Sequence, residues 1–379
     1  MRRALRLCLS LSLLPLALLA TYASWIQWQP QSHYLSDLRS SVTLNHGTPG
    51  SRGNLLGIQP ELFSTDYQSS QHLYRKLAAH LEKARSEGLL NARSIVVLPE
   101  HIGTWLVAAG EKPQVFASET VDEAMLWLAL NHPLDLLGAL VASQGSDRLS
   151  DALFRMKAEQ MANDYQSLFG GLAESFGVTL VAGSIVLPEP EVVDGILRTG
   201  QGPLYNVSLV FGPDGAPLGQ PQRKAFPIPD ETGFTAAAPS AALQVIDTPA
   251  GRLGVLICAD SWYPDSYQPL AQAQVELVAV PAFLTGNQHW QKPWGGYTTF
   301  AGTPKDAATA AGSISEGEAW QRHSLPARQA STPARAGLTV FMRGQLWNLG
   351  SDGRSMLALP DQHLLAPDQP GTQLVNLWL

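Results

Sequence analysis

Three reactive side chains occupy comparable places along this 379-residue sequence. Glu100 and Cys258 each follow a short apolar run closely, and Lys224 lies in a proline-containing segment between them. A cysteine thiolate is a nucleophile, a carboxylate can take a proton and later return it, and an ammonium group can stabilise a developing oxyanion. These residue types are therefore the ones that covalent catalysis by a thiol requires.

The position of Cys258 supports this interpretation. Residues 253–257 form an apolar run of strand length with turn residues on both sides, so Cys258 is predicted to follow the C-terminal tip of a buried strand. Open α/β sheets place their chemistry at such tips. A lone cysteine is more often a space-filling core residue, but Glu100 and Lys224 in comparable positions favour a chemical role.

The periodicity of apolar residues predicts the elements that position these side chains. Helices are expected over 71–84, 121–140 and 150–176. Strands are expected over 53–59, 93–99, 178–183, 204–211, 243–247, 253–257, 275–281, 338–342, 355–359 and 373–377. Turns at 212–215 and 249–251 indicate hairpins. Because strands, hairpins and helices alternate throughout, we predict a layered α+β sandwich in a single domain.

The composition excludes several classes of protein. A hydrophobic share of 45% with a charged share of 15% is typical of a globular chain, not a disordered one. The net charge of −7 offers no basic surface for nucleic acid. The sequence contains no HExxH, CxxC or Walker-type loop, so it predicts no metal site and no phosphate-binding cofactor.

The N-terminal residues differ from the rest. Three arginines within the first six residues precede an uncharged, leucine-rich stretch that runs to about Ile26, which is typical of a signal peptide or an uncleaved signal anchor over residues 1–26. Either would export the domain, leaving it periplasmic or anchored to the membrane outside the cytoplasm. Residues 27–52 are predicted to form a linker. Because Cys8 belongs to the leader, the exported domain would carry one unpaired thiol, Cys258, in an oxidising compartment, which favours a chemical reason for keeping it.

Three elements in this order resemble the nitrilase (carbon–nitrogen hydrolase) superfamily. They are Val96-Val-Leu-Pro-Glu100, Arg223-Lys224, and Gly254-Val-Leu-Ile-Cys258-Ala-Asp-Ser-Trp-Tyr-Pro-Asp265. In that family an apolar strand ends in Pro-Glu, a lysine lies in a loop before a hairpin, and the cysteine follows a further apolar strand. The similarity runs from about Gly53 to the C-terminus. It implies a nitrilase-like α-β-β-α sandwich over residues 53–379.

The resemblance also implies a role for each reactive group. Cys258 would attack an amide or nitrile carbon, Glu100 would act as general base and acid, and Lys224 would stabilise the thiolate and the oxyanion. A backbone N–H near Ala259 is a plausible second oxyanion donor. Glu231 matches a second glutamate with which family members orient the lysine and the attacking water. We further expect a small-molecule amide or nitrile substrate, no cofactor and a possible homodimer.

Other polar residues near these motifs have simpler explanations. His101 beside Glu100 suggests a cysteine–histidine pair, but a hydrogen-bonded structural histidine is the commoner case. Asp260 is expected to cap the turn after the strand rather than to act as an acid. Asn206-Val-Ser208 fits the glycosylation pattern, yet it lies inside an apolar strand, where that pattern has no meaning.

Two segments depart from the family pattern. Family members generally carry Arg-Ala-x-Glu-Asn on a late helix, whereas this chain keeps only Arg335-Ala, so a divergent helix is expected there. Residues 284–325 form a long segment with aromatic residues at Trp290, Trp294, Tyr297 and Trp320. This segment could wall off the pocket or lie against a membrane surface, and ordinary loop packing is the alternative.

Three functions from different classes remain open on the sequence alone. The first is an exported hydrolase of amides or nitriles that works through a cysteine thioester. The second is an amine N-acyltransferase on the same scaffold, which would pass the acyl group to an amine instead of water. The third is a catalytically inactive, membrane-anchored binding module, which the retention of all three triad residue types argues against.

Overall fold

The computed structural model describes residues 35–297 and 301–379 and, before them, only positions 15, 17 and 21. Most of the predicted leader and the first residues of the predicted linker therefore lie outside the described part of the chain. The helices are α1 Ser70–Ser86, α2 Pro113–Ala117, α3 Val121–Asn131, α4 Pro133–Ala142, α5 Arg148–Phe176, α6 Pro229–Thr232, α7 Pro264–Gln272, α8 Glu316–His323 and α9 Leu325–Arg328.

The strands are short and distributed along the whole described chain. They are β1 Ser40–His46, β2 Asn54–Gln59, β3 Glu61–Phe63, β4 Ser94–Val97, β5 Thr179–Val181, β6 Ile185–Pro188, β7 Glu191–Val193, β8 Ile196–Arg198, β9 Leu204–Ser208, β10 Val210–Phe211, β11 Gln222–Arg223, β12 Val245–Thr248, β13 Gly251–Val255, β14 Leu277–Ala282, β15 Ala336–Phe341, β16 Arg343–Leu346, β17 Leu349–Ser351, β18 Met356–Leu359, β19 Gln362–Leu365 and β20 Thr372–Trp378.

Two six-stranded sheets form the centre of the molecule. The first has the strand order β1-β20-β2-β4-β5-β10, and the second has the order β12-β13-β14-β15-β18-β19. Smaller sheets, β11-β9-β6 and β17-β16-β3, extend from this centre, and β7 pairs with β8. Parallel pairing of β2 with β4 and of β13 with β14 agrees with the buried, apolar central residues of these strands.

Successive side chains of a strand point to opposite faces of its sheet, and the two sheets stack on the faces that are both apolar. In β4, Ile95 and Val97 belong to the core between the sheets, whereas Val96 belongs to the core on the outer face. A Cβ atom on Gly57 of β2 would lie 2.8 Å from a methyl group of Val340 in the opposite sheet. The small residue at this position therefore permits the close approach of the sheets.

Helices cover both outer faces. Helices α1 and α5 bury their apolar stripes, which include Leu77 and Phe169, against the first sheet. Helices α7 and α9 do the same on the second sheet through Leu270 and Leu325. The layer order is thus helix, sheet, sheet, helix, which confirms the predicted sandwich.

The two ends of the described domain meet in one sheet. Strand β20 lies between β1 and β2, parallel to β1 and antiparallel to β2. The predicted linker over residues 27–52 differs here, because residues 40–46 form the edge strand β1. The polar sequence of β1 hides it, since its side chains are only partly buried and gain their order from pairing with β20.

Within the described residues, no single helix is long and apolar enough to cross a membrane. Helices α3 and α4 satisfy the length and composition criteria only when taken together, and they are bent by 105° at the break between them.

Candidate active site

Glu100 lies just beyond β4, where the backbone is held by the segment after β5. The His101 N–H donates to Ser184 Oγ at 2.8 Å, and the Gly103 N–H donates to the Ser184 carbonyl at 2.9 Å. Gly183 has φ +62°, and a Cβ atom there would lie 2.0 Å from the Pro99 carbonyl oxygen. A residue without a side chain is therefore required beside the Pro-Glu turn.

Lys224 follows β11, which pairs with β9. Its N–H donates to the Asn206 carbonyl at 2.8 Å, so the ladder between these strands continues up to the lysine. The side chain of Glu231, on the short helix α6, accepts a hydrogen bond from the Ile228 N–H at 3.1 Å and caps that helix. The same carboxylate faces the lysine, so one segment of the chain supplies both groups.

Cys258 begins a 3₁₀ turn, Cys258–Trp262, just after β13, as its sequence position predicted. Its φ of +51° is unusual for a residue with a side chain, and such conformations cluster at functional sites. The sulfur lies 3.7 Å from the Phe283 carbonyl oxygen. The N–H of Ala259 belongs to the first turn of the 3₁₀ segment, where N–H groups lack a partner within the helix.

Asp260 ties the cysteine turn to the lysine loop. Its carboxylate accepts hydrogen bonds from the N–H groups of Ala225 (3.0 Å), Phe226 (2.8 Å) and Ile257 (3.2 Å). Burial raises the pKa of Asp260 to about 7, although Lys224 and the three N–H donors act in the opposite direction. Asp260 is thus a capping residue, as predicted, but it bridges two segments rather than one.

Replacing Asp260 by Asn is expected to lower the free energy of unfolding by about 1–3 kcal/mol, because an amide N–H would then face the Ile257 N–H. Asp265→Asn, at an exposed position five residues later, is the matched control and should change stability by well under half as much. Urea unfolding followed by circular dichroism measures both. Equal losses in the two variants would contradict the bridging role.

Lys224 lies between two carboxylates at the centre of the site. Its Nζ is 2.7 Å from Glu100 Oε1 and 2.5 Å from Glu231 Oε2, and all three side chains are buried. Burial acts to lower the pKa of Lys224, but the two carboxylates outweigh it and hold this pKa well above its ordinary value. The pKa of Glu231 is lowered: burial opposes this shift, but the charge of Lys224 and contacts with His101 dominate. Lysine and Glu231 are therefore both charged at neutral pH.

The Cys258 thiol has the opposite tendency. Burial raises its pKa well above the ordinary value, and the charge of Glu100 raises it further, whereas Lys224 acts to lower it. The resting sulfur therefore carries its proton at neutral pH. Glu100 is near enough for its charge to act on this thiol, which makes it the candidate acceptor of the proton when the sulfur attacks.

The structure brings together Glu100, Lys224, Glu231 and Cys258, which the sequence separates by up to 158 positions. It adds Asn206, whose Nδ2 donates to Glu100 Oε1 at 3.0 Å and to Glu231 Oε1 at 2.6 Å. Asn206 is buried, and its glycosylation pattern had drawn attention away from it. A polar side chain within an otherwise apolar, buried strand was the signal that could have identified it.

His101 also belongs to this cluster. Its Nδ1 is 3.0 Å from Thr104 Oγ1, and its Nε2 is 3.4 Å from Glu231 Oε1 and 3.8 Å from Glu100 Oε1. The histidine is thus hydrogen-bonded, as expected, and its contacts are with the glutamates. Among the described residues, Glu100, His101 and Glu231 form the one group whose donor atoms lie close enough to hold a metal ion. The Lys224 ammonium already bridges both carboxylates, so the cation of this site is the lysine itself.

Aromatic residues from the long segment 284–325 pack in the apolar cluster that contains Cys258. Trp290, Trp294 and Trp320 are buried in the same apolar cluster as Cys258 and Trp262. The ring of Trp262 lies 5.2 Å from those of Trp294 and Trp320, centre to centre. The tryptophans face inward, as both a wall beside the site and ordinary loop packing require.

Arg335 lies away from the cluster. It immediately precedes β15, forms an ion pair with Glu276 and donates to the Ala250 carbonyl at 3.0 Å. The divergent helix expected at this position is absent from the described structure, because the residues after Arg335 form a buried strand of the second sheet.

Comparison with known proteins identifies relatives of this chain. The family model of carbon-nitrogen hydrolases matches residues 58–295. An omega-amidase from Xenopus laevis is 31% identical over 144 residues, which are 35% of this chain and 48% of that protein. The chain therefore matches about half the length of this curated relative.

Solved structures with the same fold cover more of the chain. A carbon-nitrogen hydrolase from Helicobacter pylori superposes with a TM-score of 0.53 at 16% identity, covering 86% of this chain and 88% of the other. A glutamate-to-glutamine mutant of an amidase from Nesterenkonia, with the acetamide moiety of fluoroacetamide added covalently to its active-site cysteine, gives 0.50 at 17% identity, with 87% and 92% covered.

Proposed function

Since this chain belongs to the carbon-nitrogen hydrolase family, we propose that it hydrolyses the carbon–nitrogen bond of small amides through a thioester on Cys258. The observation that carries the proposal is the position of Lys224 Nζ, 2.7 Å from Glu100 and 2.5 Å from Glu231, with the buried Cys258 thiol near enough for the charges of Lys224 and Glu100 to act on its pKa. The amidase activity named for the relatives supports the choice of an amide over a nitrile.

In the first half of the reaction, Cys258 Sγ attacks the amide carbon while Glu100 accepts the thiol proton. The carbonyl oxygen becomes an oxyanion, which Lys224 and the Ala259 N–H stabilise. When the intermediate collapses, the carbon–nitrogen bond breaks and Glu100 returns its proton to the leaving nitrogen. Ammonia or an amine departs, and the acyl group stays on sulfur as a thioester.

In the second half, water resolves the thioester. Glu100 takes a proton from the water as its oxygen attacks the acyl carbon, and it returns that proton to sulfur when the carbon–sulfur bond breaks. The products are a carboxylic acid and the free thiol. Glu231 and Asn206 keep Lys224 and Glu100 in fixed relative positions through both halves of the reaction, because each contacts more than one member of the cluster.

The two alternatives give different products. An N-acyltransferase would leave the thioester intact in water and transfer the acyl group only when an amine is added. An inactive binding module would form no thioester at all. Incubation with an amide panel, followed by intact-mass analysis with and without added amine, separates the three functions.

Replacing Glu100 by Gln should reduce amide hydrolysis by about 10²–10⁴-fold, because the amide cannot accept the thiol proton. Fluoroacetamide should still alkylate Cys258, since Sγ displaces fluoride and forms a stable thioether. Ammonia release measures the hydrolysis, and peptide mass spectrometry locates the acetamide moiety. Glu82→Gln, at an exposed position on α1, is the control and should retain normal turnover. Unchanged turnover in Glu100→Gln would remove Glu100 from the mechanism.

A further inference from the structure

We propose that an exposed apolar stripe on α3 and α4 is a docking surface that lies against a lipid bilayer. The stripe consists of Leu126, Leu130, Leu134, Leu137 and Val141. This surface is separate from the hydrolytic site, and the proposal does not depend on the reaction that the site performs.

The stripe has two parts, one on each helix. Leu126 and Leu130 are four residues apart on α3, and Leu134, Leu137 and Val141 follow at intervals of three and four residues on α4, so the members on each helix share one face of that helix. Their exposed fractions are 55% for Leu126, 54% for Leu130, 81% for Leu134, 61% for Leu137 and 86% for Val141. Soluble domains rarely leave so regular a row of large apolar side chains in water.

The opposite faces of the same helices are anchored in the domain. Leu128 of α3 is fully buried, and Ala139 of α4 is buried as well. The corner between the helices is fixed by Glu111, which accepts from His132 at 2.8 Å, from Lys157 at 2.8 Å and from Asn131 at 3.2 Å. The stripe is therefore held outward by a fixed L-shaped pair of helices.

The composition of the pair favours lipid over a protein partner. Residues 121–142 contain no lysine or arginine, and their acidic residues are limited to Asp122, Glu123 and Asp135. The pair has the length and hydropathy of a membrane segment, yet its 105° bend prevents it from crossing as one rod. An exposed apolar surface of this kind is typical of a membrane or partner contact, and a bent pair can lie along a bilayer surface without crossing it. Burial of apolar area, not charge, would supply the binding energy.

The position of the first continuously described residues also favours a bilayer as the partner of the stripe. Ser36 Oγ is 3.2 Å from Asp66 Oδ1, and two residues later the Gln68 carbonyl accepts the Gly110 N–H at 3.0 Å. Gly110 adjoins Glu111, which holds the corner of the stripe. The leader ends at about Ile26, and residues 27–34 span at most about 28 Å when extended. A leader that remained in the membrane would therefore keep this side of the domain within reach of the bilayer.

The test uses the full 379-residue chain reconstituted into phosphatidylcholine vesicles. An environment-sensitive fluorophore is attached at Leu134→Cys or Leu137→Cys in a background of Cys8→Ser and Cys258→Ala, so that each protein carries one thiol. Gln272→Cys, on the exposed side of α7 in the opposite outer layer, is the matched control. Each protein is measured in unlabelled lipid and in lipid brominated near the headgroup.

We expect the probes at positions 134 and 137 to shift to shorter wavelength and to lose several-fold more emission to brominated lipid than the probe at position 272. High salt should leave this difference unchanged. Aqueous emission at 134 and 137 in vesicle-bound protein would overturn the proposal. A shift without lipid quenching would also overturn it, since the stripe would then be covered by a second copy or by the leader itself.

Discussion

Replacing Cys258 by Ala should lower the turnover of amide substrates by at least about 10⁴-fold while the domain stays folded. The alanine side chain has no nucleophile, so no acyl group can leave the substrate as a thioester. Loss of one buried sulfur should cost only about 1 kcal/mol of stability, because the cavity that remains is small.

Ammonia release and intact mass measure this result. The wild-type protein should gain the mass of an acyl group during turnover, and Cys258→Ala should not. Ser261→Ala is a suitable neighbouring control, since its hydroxyl only donates to the Cys258 carbonyl at 2.7 Å. That variant should retain most of the activity. Turnover in Cys258→Ala close to that of the wild type would remove the proposed mechanism entirely.

Replacing Lys224 by Met is expected to abolish turnover and to lower the free energy of unfolding by about 3–5 kcal/mol. Methionine fills a similar volume but leaves Glu100 and Glu231 facing each other without a cation between them. A buried charge that has lost its partner lowers the free energy of unfolding far more than the loss of a surface ion pair does.

Lys76→Met provides the matched control. Lys76 is equally buried and pairs with Asp66 at 2.8 Å, outside the catalytic cluster. Both variants should unfold at lower urea concentration, but only Lys224→Met should lose activity. A Lys76→Met variant as inactive as Lys224→Met would show that lost stability, and not lost chemistry, explains the result.

The stability loss in Lys224→Met should also depend on pH. In the wild type the lowered pKa of Glu231 contributes stability that is present above its unfolded value, near 4.5, and is lost as pH falls further. Without the lysine, burial would raise this pKa instead, so the variant is most stable when the carboxyl is protonated. The difference between wild type and variant should therefore grow as pH rises from about 4 to 7, and unfolding curves across that range measure it.

The sequence was informative about the site where a motif and a strand end coincided. Cys258 and Glu100 follow predicted strands, and the structure places both where those strands predicted. Lys224 and Glu231 were identified through the family resemblance, and the structure adds that the Lys224 ammonium contacts both Glu231 and Glu100.

Residues that act through long-range geometry were harder to identify. Asn206 lies in a strand that was predicted from its apolar residues. Its amide donates to two glutamates, one after β4 and one on α6, and only the three-dimensional structure brings those elements to it. Strand β1 was hidden for a similar reason, because its order comes from a partner more than three hundred residues later. Single-sequence periodicity contains no information about such pairings.

The location of β20 has a consequence for how this protein is made. The last strand fills the gap between β1 and β2, so the first sheet stays open until residues 372–378 have left the ribosome. Until that moment β1 lacks its neighbour, and the inner edge of β2 presents unpaired peptide groups. Closure of the first sheet therefore waits for residues 372–378, and until they pair the growing chain is the kind of substrate that chaperones hold.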